Sequence, residues 1–416
     1  KNVGYQSLMG RTLPTSWSSL GGVFVIFLGA HFADGSRIGM AAAHGLLQSS
    51  ESIESTHKVD STLFVDGQIS AWDRAEKHAL QQIDMCIEKH TDSPWKSLIQ
   101  KEDAGKKNLC SSEGKLLPEL YLVGEPKSAT TSLALDLMSV GIGTLGIDFR
   151  TKHPHRHRHC SKELHFFDVA LNQANQAADE KQRWLKLLPN CSSRRQVLAD
   201  FTPNYLASVP APENFQLRPK MRRAVNVPET LHDWYGEQGR NITFLTLLRN
   251  PLGRLHSVWH GCGMSKRSRF EKFQDAIQSL VATAGATGKA DSLLYSISYA
   301  KHLKVWLEHF SAAQFVIVPF GFYTKGEKDR LCLELSRRMS FDIDCDSKGH
   351  QPSHHFASGP QTLEKETTAE FRKDFDNFTR ADVEELASLL LQAHSKGAFL
   401  AGYNGGDVLQ WLRSNW

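Results

Sequence analysis

The sequence lacks a large excess of charge of either sign, and it lacks a cysteine pair spaced as in a zinc site. Its 416 residues include 49 Lys and Arg against 45 Asp and Glu, a formal net charge of +4. Nucleic-acid-binding proteins usually carry a stronger, clustered positive charge, so we expect no nucleic-acid partner. None of the seven cysteines forms a CxxC pair, which argues against a structural zinc site. Seven is odd, so at least one thiol does not pair within the chain, and the cysteines fix neither the redox compartment nor the oligomeric state.

Long apolar runs are also scarce, and the one that matters is Trp17–Ala33. Its length is near the lower limit for a membrane span. Lys1 and Arg11 precede it, as expected for a signal-anchor whose N-terminus is cytoplasmic. A cleaved signal peptide or a buried helix would fit the same residues. We expect a single anchor or signal at residues 17–34, after a short segment 1–16.

The remainder divides into an accessory segment and a larger domain. Residues 35–115 read as a stem with an amphipathic helix, because apolar residues recur at helical spacing between Ile69 and His90. Residues 116–416 alternate short apolar runs with helical periodicity, which predicts an α/β domain with a central parallel sheet flanked by helices. The predicted strands are Leu120–Val123, Ile242–Leu248 and Phe315–Val318, and the predicted helices follow the first strand, begin at Pro251, and cover Tyr299–Phe310.

The first chemical motif lies between the first predicted strand and its helix, in the sequence GEPKSATTS. A loop there directs backbone N–H groups and the positive helix end towards an anion. It lacks the GxxxxGK[ST] order of a Walker loop and therefore the usual magnesium ligand, so a nucleoside-triphosphate enzyme fits poorly. The candidate anion-binding residues are Pro126, Lys127, Ser128, Ala129, Thr130, Thr131 and Ser132.

Two further motifs carry groups suited to phosphate binding and to proton transfer. Arg249 follows the second predicted strand, and Ser257 comes two helical turns later, which combines a guanidinium with a hydroxyl donor. In the sequence KELHFFD, Glu163 stands among apolar residues, which raise a carboxyl pKa towards that of a general base. His165 is the competing base, and an ordinary edge strand that places both side chains on one face is the structural alternative.

Together these motifs resemble the PAPS-dependent sulfotransferases, where PAPS is 3′-phosphoadenosine 5′-phosphosulfate, and most closely the heparan-sulfate type. The resemblance covers roughly residues 117–360, and the motifs occur in the family's order. It implies a P-loop-like nucleotide site, with GEPKSATTS as the 5′-phosphosulfate loop in which Ala129 replaces the usual glycine. It implies that Arg249 and Ser257 hold the 3′-phosphate, and that a loop with Lys348, Gly349 and His350 wraps the nucleotide. His350 stands where the family has arginine.

The resemblance also implies roles for the acceptor side. Glu163 would deprotonate a hydroxyl or amine of the acceptor, which the resemblance makes a glycan, while Lys127 stabilises the transferring sulfuryl group and His165 positions the acceptor. In DFTPNY, Asp200 matches the family's acid, but Phe201 stands where the family has lysine, so heparan sulfate itself is not indicated. The family needs no metal. The alternating histidines at 153, 155, 157 and 159 favour a solvated basic loop over a metal site.

Two alternatives remain open from the sequence: a nucleotide-kinase-like phosphotransferase, and a catalytically inactive protein that binds PAPS or a glycan. The sulfotransferase interpretation, with the apolar run, predicts a single-pass type II protein of the Golgi membrane with a lumenal catalytic domain. Asn-x-Ser/Thr triplets at Asn190, Asn241 and Asn377 are compatible with a glycoprotein. Asn241 begins an apolar run and is expected to stay unmodified.

Overall fold

A computed structural model describes most of the predicted catalytic domain. The described residues are 107–144, 163–170, 177–211, 215–216, 226–261, 270, 272–326, 328–343, 345 and 363–416. The apolar run, most of the predicted stem, the loop of Lys348, Gly349 and His350, and the histidine-rich stretch lie outside them. None of the helices in the described ranges is both long and apolar enough to cross a membrane.

Eight strands are present in the described ranges: β1 Pro118–Gly124, β2 Gly143–Thr144, β3 Leu198–Asp200, β4 Phe215–Gln216, β5 Thr243–Leu248, β6 Ala290–Asp291, β7 Phe315–Pro319 and β8 Phe399–Leu400. Six of them form one sheet in the order β2-β3-β1-β5-β7-β8, and every neighbouring pair is parallel. Strands β4 and β6 form a separate parallel pair. The sheet confirms the predicted α/β class, and all three predicted strands are found within two residues of their predicted ends.

The helices of the described ranges are α1 Thr130–Ser139, α2 Ala177–Leu187, α3 Val227–Tyr235, α4 Pro251–Gly261, α5 Phe273–Thr287, α6 Ser292–Tyr295, α7 Tyr299–His309, α8 Phe320–Thr324, α9 Lys328–Met339, α10 Leu363–Glu366, α11 Ala369–Ser395 and α12 Val408–Ser414. The predicted start of α4 is confirmed in detail, because Asn250 Oδ1 accepts a hydrogen bond from the Gly253 amide at 3.0 Å. Asparagine is among the preferred residues at this position.

Hydrophobic side chains cover both faces of the sheet. On β1, Leu120 and Leu122 pack on one face with α1 and α9, while Tyr121 and Val123 pack on the other with α2, α3, α7 and α11. All residues of β5 are buried, as expected for a central parallel strand whose two faces are both covered. The result is a three-layer arrangement in which only the ends of the strands remain for a binding site.

Two disulfides staple this domain. Cys110 is bonded to Cys191 and Cys332 to Cys345, with Cα–Cα distances of 5.9 and 5.7 Å. The remaining three cysteines, Cys86, Cys160 and Cys262, lie outside the described residues.

Candidate active site

The motifs that contain Lys127, Arg249 and Asp200 lie at the carboxyl ends of three adjacent strands. Strand β1 lies between β3 and β5, and its residue Tyr121 pairs with Asp200 at the end of β3. The motif with Lys127 follows β1, and Arg249 follows β5 directly. In parallel α/β sheets, ligands bind outside the carboxyl ends of the strands, so the topology gathers these motifs at one edge.

The loop after β1 has the geometry of an anion cradle. Lys127 and Ala129 both have a left-handed backbone, with φ of 70° and 67°. Ala129 precedes the first residue of helix α1 and provides no capping side chain, which leaves the first amides of the helix available for an anion. The Ser128 hydroxyl is fully buried and has no hydrogen-bond partner among the described residues. A buried hydroxyl without a partner costs free energy, so this orphan indicates a ligand in the loop.

The Lys127 side chain extends from this loop towards the end of α4. Its Nζ lies so close to Gly261 that a Cβ at that position would collide with it. In the part of the chain described, no carboxylate lies within ion-pairing distance of Lys127. Its charge is therefore not neutralised by an acid of these segments, as expected for a group that binds an anion.

A buried ion pair beneath the loop fixes its shape. Arg254 Nη2 lies 2.8 Å from Glu125 Oε2, and its Nε donates to the Pro126 carbonyl at 3.0 Å. Its Nη1 also donates to Ser296 Oγ at 2.8 Å. Both charged side chains are almost fully buried. No role was predicted for Glu125 or Arg254 from the sequence, although both stand inside the predicted motifs.

Arg249 joins the two predicted phosphate-binding motifs directly. Its Nη1 donates to the Lys127 carbonyl at 2.8 Å across 122 residues of sequence, and its guanidinium lies 4.4 Å from the Phe320 ring centroid. Burial lowers its pKa, but a guanidinium stays protonated. The side chain passes over Gly253, one helical turn before the half-exposed Ser257. The Arg249 side chain therefore lies over the face of α4 that carries Ser257.

The motif of Glu163 and His165 is a loop and not the edge strand considered from the sequence. Residues 163–165 lack regular structure and lead into a π-helical turn, Phe166–Ala170. His165 has a φ of 54° and is fully buried. Its Nε2 lies 2.7 Å from Glu163 Oε2, and its Nδ1 lies 2.8 Å from Asp168 Oδ2. The Glu163 and His165 side chains meet at a turn of the chain at His165. On a strand they would instead have lain side by side on one face.

Residues after β3 hold this loop in place. Thr202 Oγ1 accepts hydrogen bonds from the amides of Leu164 and His165 at 2.9 and 3.0 Å. Thr202 in turn donates to Asp200 Oδ1 at 2.6 Å, and Tyr205 donates to Asp200 Oδ2 at 2.9 Å. Burial raises the pKa of Asp200 to about 6, although these two hydrogen bonds oppose the shift. Asp200 therefore organises the loop from below.

The structure brings Arg249 to the backbone of the loop before α1, with Ser257 one helical turn beyond the Arg249 side chain, and it brings Glu163 together with His165. Phe201 is fully buried in the hydrophobic core, so its side chain does not reach this edge of the sheet. The sequence missed Asp168 and Thr202 as partners of the Glu163 loop. The only signal for Asp168 was its place in the KELHFFD motif. Nothing in the sequence pointed to Thr202, because it is far from this motif along the chain.

Comparisons with known proteins add the following. No protein-family model and no curated protein matches the chain. Among solved structures, the chain is similar to a sulfotransferase from Alicyclobacillus acidocaldarius. That structure is 16% identical, with a TM-score of 0.43, and the match covers 66% of this chain and 96% of the other.

Proposed function

We propose that the protein transfers a sulfuryl group from PAPS to a hydroxyl of an acceptor. The observation that carries this proposal is the 2.8 Å hydrogen bond from Arg249 to the Lys127 carbonyl. It joins two motifs that resemble the two ends of a PAPS site, and it does so beside an uncapped helix and an orphan hydroxyl. A co-substrate with anionic groups at both ends fits this arrangement.

On the nucleotide side, the loop and α4 bind and orient. Thr130, Thr131 and Ser132 present the first amides of α1 to the 5′-phosphosulfate, and Ser128 supplies its buried hydroxyl. Lys127 stabilises the negative charge that develops on the sulfuryl oxygens and on the departing phosphate oxygen. Arg249 and Ser257 hold the 3′-phosphate and so fix the sulfur in line for attack. We further propose that the loop with Lys348, Gly349 and His350 wraps the nucleotide, and this role is supported by the sequence resemblance alone.

On the acceptor side, Glu163 takes the proton of the acceptor hydroxyl as its oxygen bonds to sulfur and the bond from sulfur to the phosphate oxygen breaks. The products are the sulfated acceptor and adenosine 3′,5′-bisphosphate. We assign His165 to the orientation of Glu163 and not to contact with the acceptor, because its ring is fully buried between two carboxylates. A glycan remains the acceptor class that the sequence resemblance implies.

Incubation of the full chain with ³⁵S-labelled PAPS and a panel of glycan and small-molecule acceptors tests this proposal. We expect label to transfer to at least one acceptor, and we expect Glu163→Gln to lower turnover by about 10² or more while adenosine 3′,5′-bisphosphate binding is retained. Binding of that nucleotide without transfer to any acceptor would instead identify an inactive binding protein. Turnover of ATP, with no response to PAPS, would identify a phosphotransferase.

We also propose that the catalytic domain works in an oxidising compartment. Two disulfides in the described part of the chain support this, because such bonds persist in secretory compartments and are rare in the cytosol. Placement in the Golgi lumen behind the predicted anchor agrees with this proposal. Protease protection of the domain in sealed microsomes, with carbonate extraction for the anchor, tests both.

A further inference from the structure

Two histidines and a glutamate converge on one point beside α4. His256 and His260 are one helical turn apart, and their ring centroids are 4.7 Å apart. Glu366 approaches from α10, with its Oε2 at 3.4 Å from His256 Nε2 and 2.9 Å from His260 Nε2. One ligand atom from each residue lies within 4.8 Å of the other two. Three metal-binding atoms therefore face a common centre.

The surroundings hold these ligands in position before any ion binds. His256 is only 8% exposed and packs edge-on against Phe273, at a centroid distance of 5.1 Å. Leu255 and Trp259, on the same helix, pack in a hydrophobic cluster with Phe371 of α11. Two of the three ligands thus stand on one rigid helix that is packed against the chain segment carrying the third.

His256 Nε2 lacks a partner among the described residues, and a cation would supply one. This nitrogen is buried and has no hydrogen-bond partner among the described residues, and its 3.4 Å approach to Glu366 is not a hydrogen bond. Glu366 Oε2 is already engaged by His260 at 2.9 Å. A buried polar nitrogen left unpaired costs free energy, whereas coordination would use its lone pair.

We propose that His256, His260 and Glu366 bind a Zn²⁺ ion that fastens α10 to α4, the helix that carries Ser257. Two imidazoles and one carboxylate form the donor set of three-ligand zinc sites, and a fourth, tetrahedral position is left for water. Mg²⁺ and Ca²⁺ prefer oxygen ligands, so they suit this set poorly. The lack of a CxxC pair argued only against a zinc site built from cysteines. The ligands proposed here come instead from a helical His-x-x-x-His spacing and a distant glutamate. The proposal does not depend on sulfuryl transfer.

To test the proposal, the full chain is first freed of metal with a chelator. Zn²⁺ binding is then measured by calorimetry, and Co²⁺ bound in its place is measured by its visible absorption. We expect one equivalent of Zn²⁺ per chain at this site and an intense, tetrahedral Co²⁺ spectrum. His260→Gln and Glu366→Gln should each weaken Zn²⁺ at least about 10-fold, since even partners that only support a ligand cost 10- to 100-fold. His260 lies at the partly exposed end of α4, so this variant should keep the wild-type circular dichroism.

Two control variants separate this site from other histidines. His232→Gln changes a half-exposed histidine that lies 6.0 Å from His309, and it should bind Zn²⁺ like the wild type. Replacement of His155 and His157 by Asn tests the histidine-rich stretch, and one equivalent should survive it. The proposal is overturned if the wild type shows no saturable binding, if His260→Gln binds as tightly as the wild type, or if the bound ion is lost with His155 and His157.

Discussion

Asp168 offers the sharpest test of the proposed base. Both ring nitrogens of His165 face carboxylates, at 2.7 Å from Glu163 and 2.8 Å from Asp168. A neutral imidazole has one N–H donor, so both contacts are hydrogen bonds only if the three groups hold one additional proton. We expect that proton on His165, where two carboxylates stabilise it. An imidazolium then holds Glu163 in a fixed orientation.

Asp168→Asn removes the charge and keeps the shape. The asparagine amide can donate to Nδ1 of a neutral ring whose Nε2–H still points at Glu163, so the loss is the difference between the hydrogen bond that an imidazolium donates to Glu163 and the weaker one that a neutral imidazole donates. That difference is about 1.4 kcal/mol, or roughly tenfold in turnover. We expect turnover to fall by about this factor while the Michaelis constant for PAPS is unchanged, because Asp168 does not lie in the nucleotide loop.

Imidazole nitrogen-15 NMR gives a readout independent of the acceptor. The His165 signal, assigned by its loss in His165→Gln, should show two protonated nitrogens at pH 7 in the wild type and a neutral ring in Asp168→Asn. Asp233→Asn is the matched control, because Asp233 pairs with His232 at 3.4 Å on the exposed surface, and it should change neither measurement. A neutral His165 in the wild type, or turnover of Asp168→Asn within twofold of normal, would refute this account of the base.

Three more predictions concern the remaining groups. Lys127→Ala should lower turnover by about 10² to 10³ with the fold intact by circular dichroism, and activity above half of normal would contradict the loop assignment. Ser257→Ala should raise the Michaelis constant for PAPS more than it lowers turnover. Arg249→Ala should raise the Michaelis constant and also lower turnover, because it releases the Lys127 carbonyl as well. Calorimetry with adenosine 3′,5′-bisphosphate measures the loss of nucleotide affinity in each variant. Burial favours the protonated form of Asp200, which stabilises the folded state below pH 4 by about 3 kcal/mol. This stabilisation is lost as the pH rises through the folded-state pKa of about 6. Asp200→Asn should therefore flatten the pH dependence of urea unfolding between about pH 4 and 7.

The sequence predicted the strands and helices that frame the nucleotide side because each has a local signal. Strand β5 is a short, continuous apolar run, which a parallel strand buried on both faces requires. Asn250 and Pro251 mark the start of α4, and the apolar spacing from Tyr299 marks α7. The motif after β1 was recognisable because a strand-to-helix loop is itself a local pattern.

The acceptor side could not be predicted in the same way. Its key contact, from Glu163 to His165, depends on a left-handed backbone at His165, a conformation that non-glycine residues seldom adopt and that no pattern in this motif signals. The hydroxyl that holds the loop belongs to Thr202, which follows a different strand. Contacts of this kind come from the order of strands in the sheet, and the periodicity of a single segment does not contain that order.

Two arginines connect the proposed nucleotide motifs: Arg254 lies in α4, and Arg249 lies just before it. Arg254 binds the side chain of Glu125 and the carbonyl of Pro126, and Arg249 binds the carbonyl of Lys127, so three consecutive loop residues are held by these two side chains. Burying the Arg254–Glu125 pair carries a desolvation cost that an apolar pair would avoid. Its benefit is geometric, because the loop and Ser257 keep a fixed separation before any ligand arrives. If the site aligns sulfur with an acceptor as we propose, it gains more from such preorganisation than from an additional contact to the ligand.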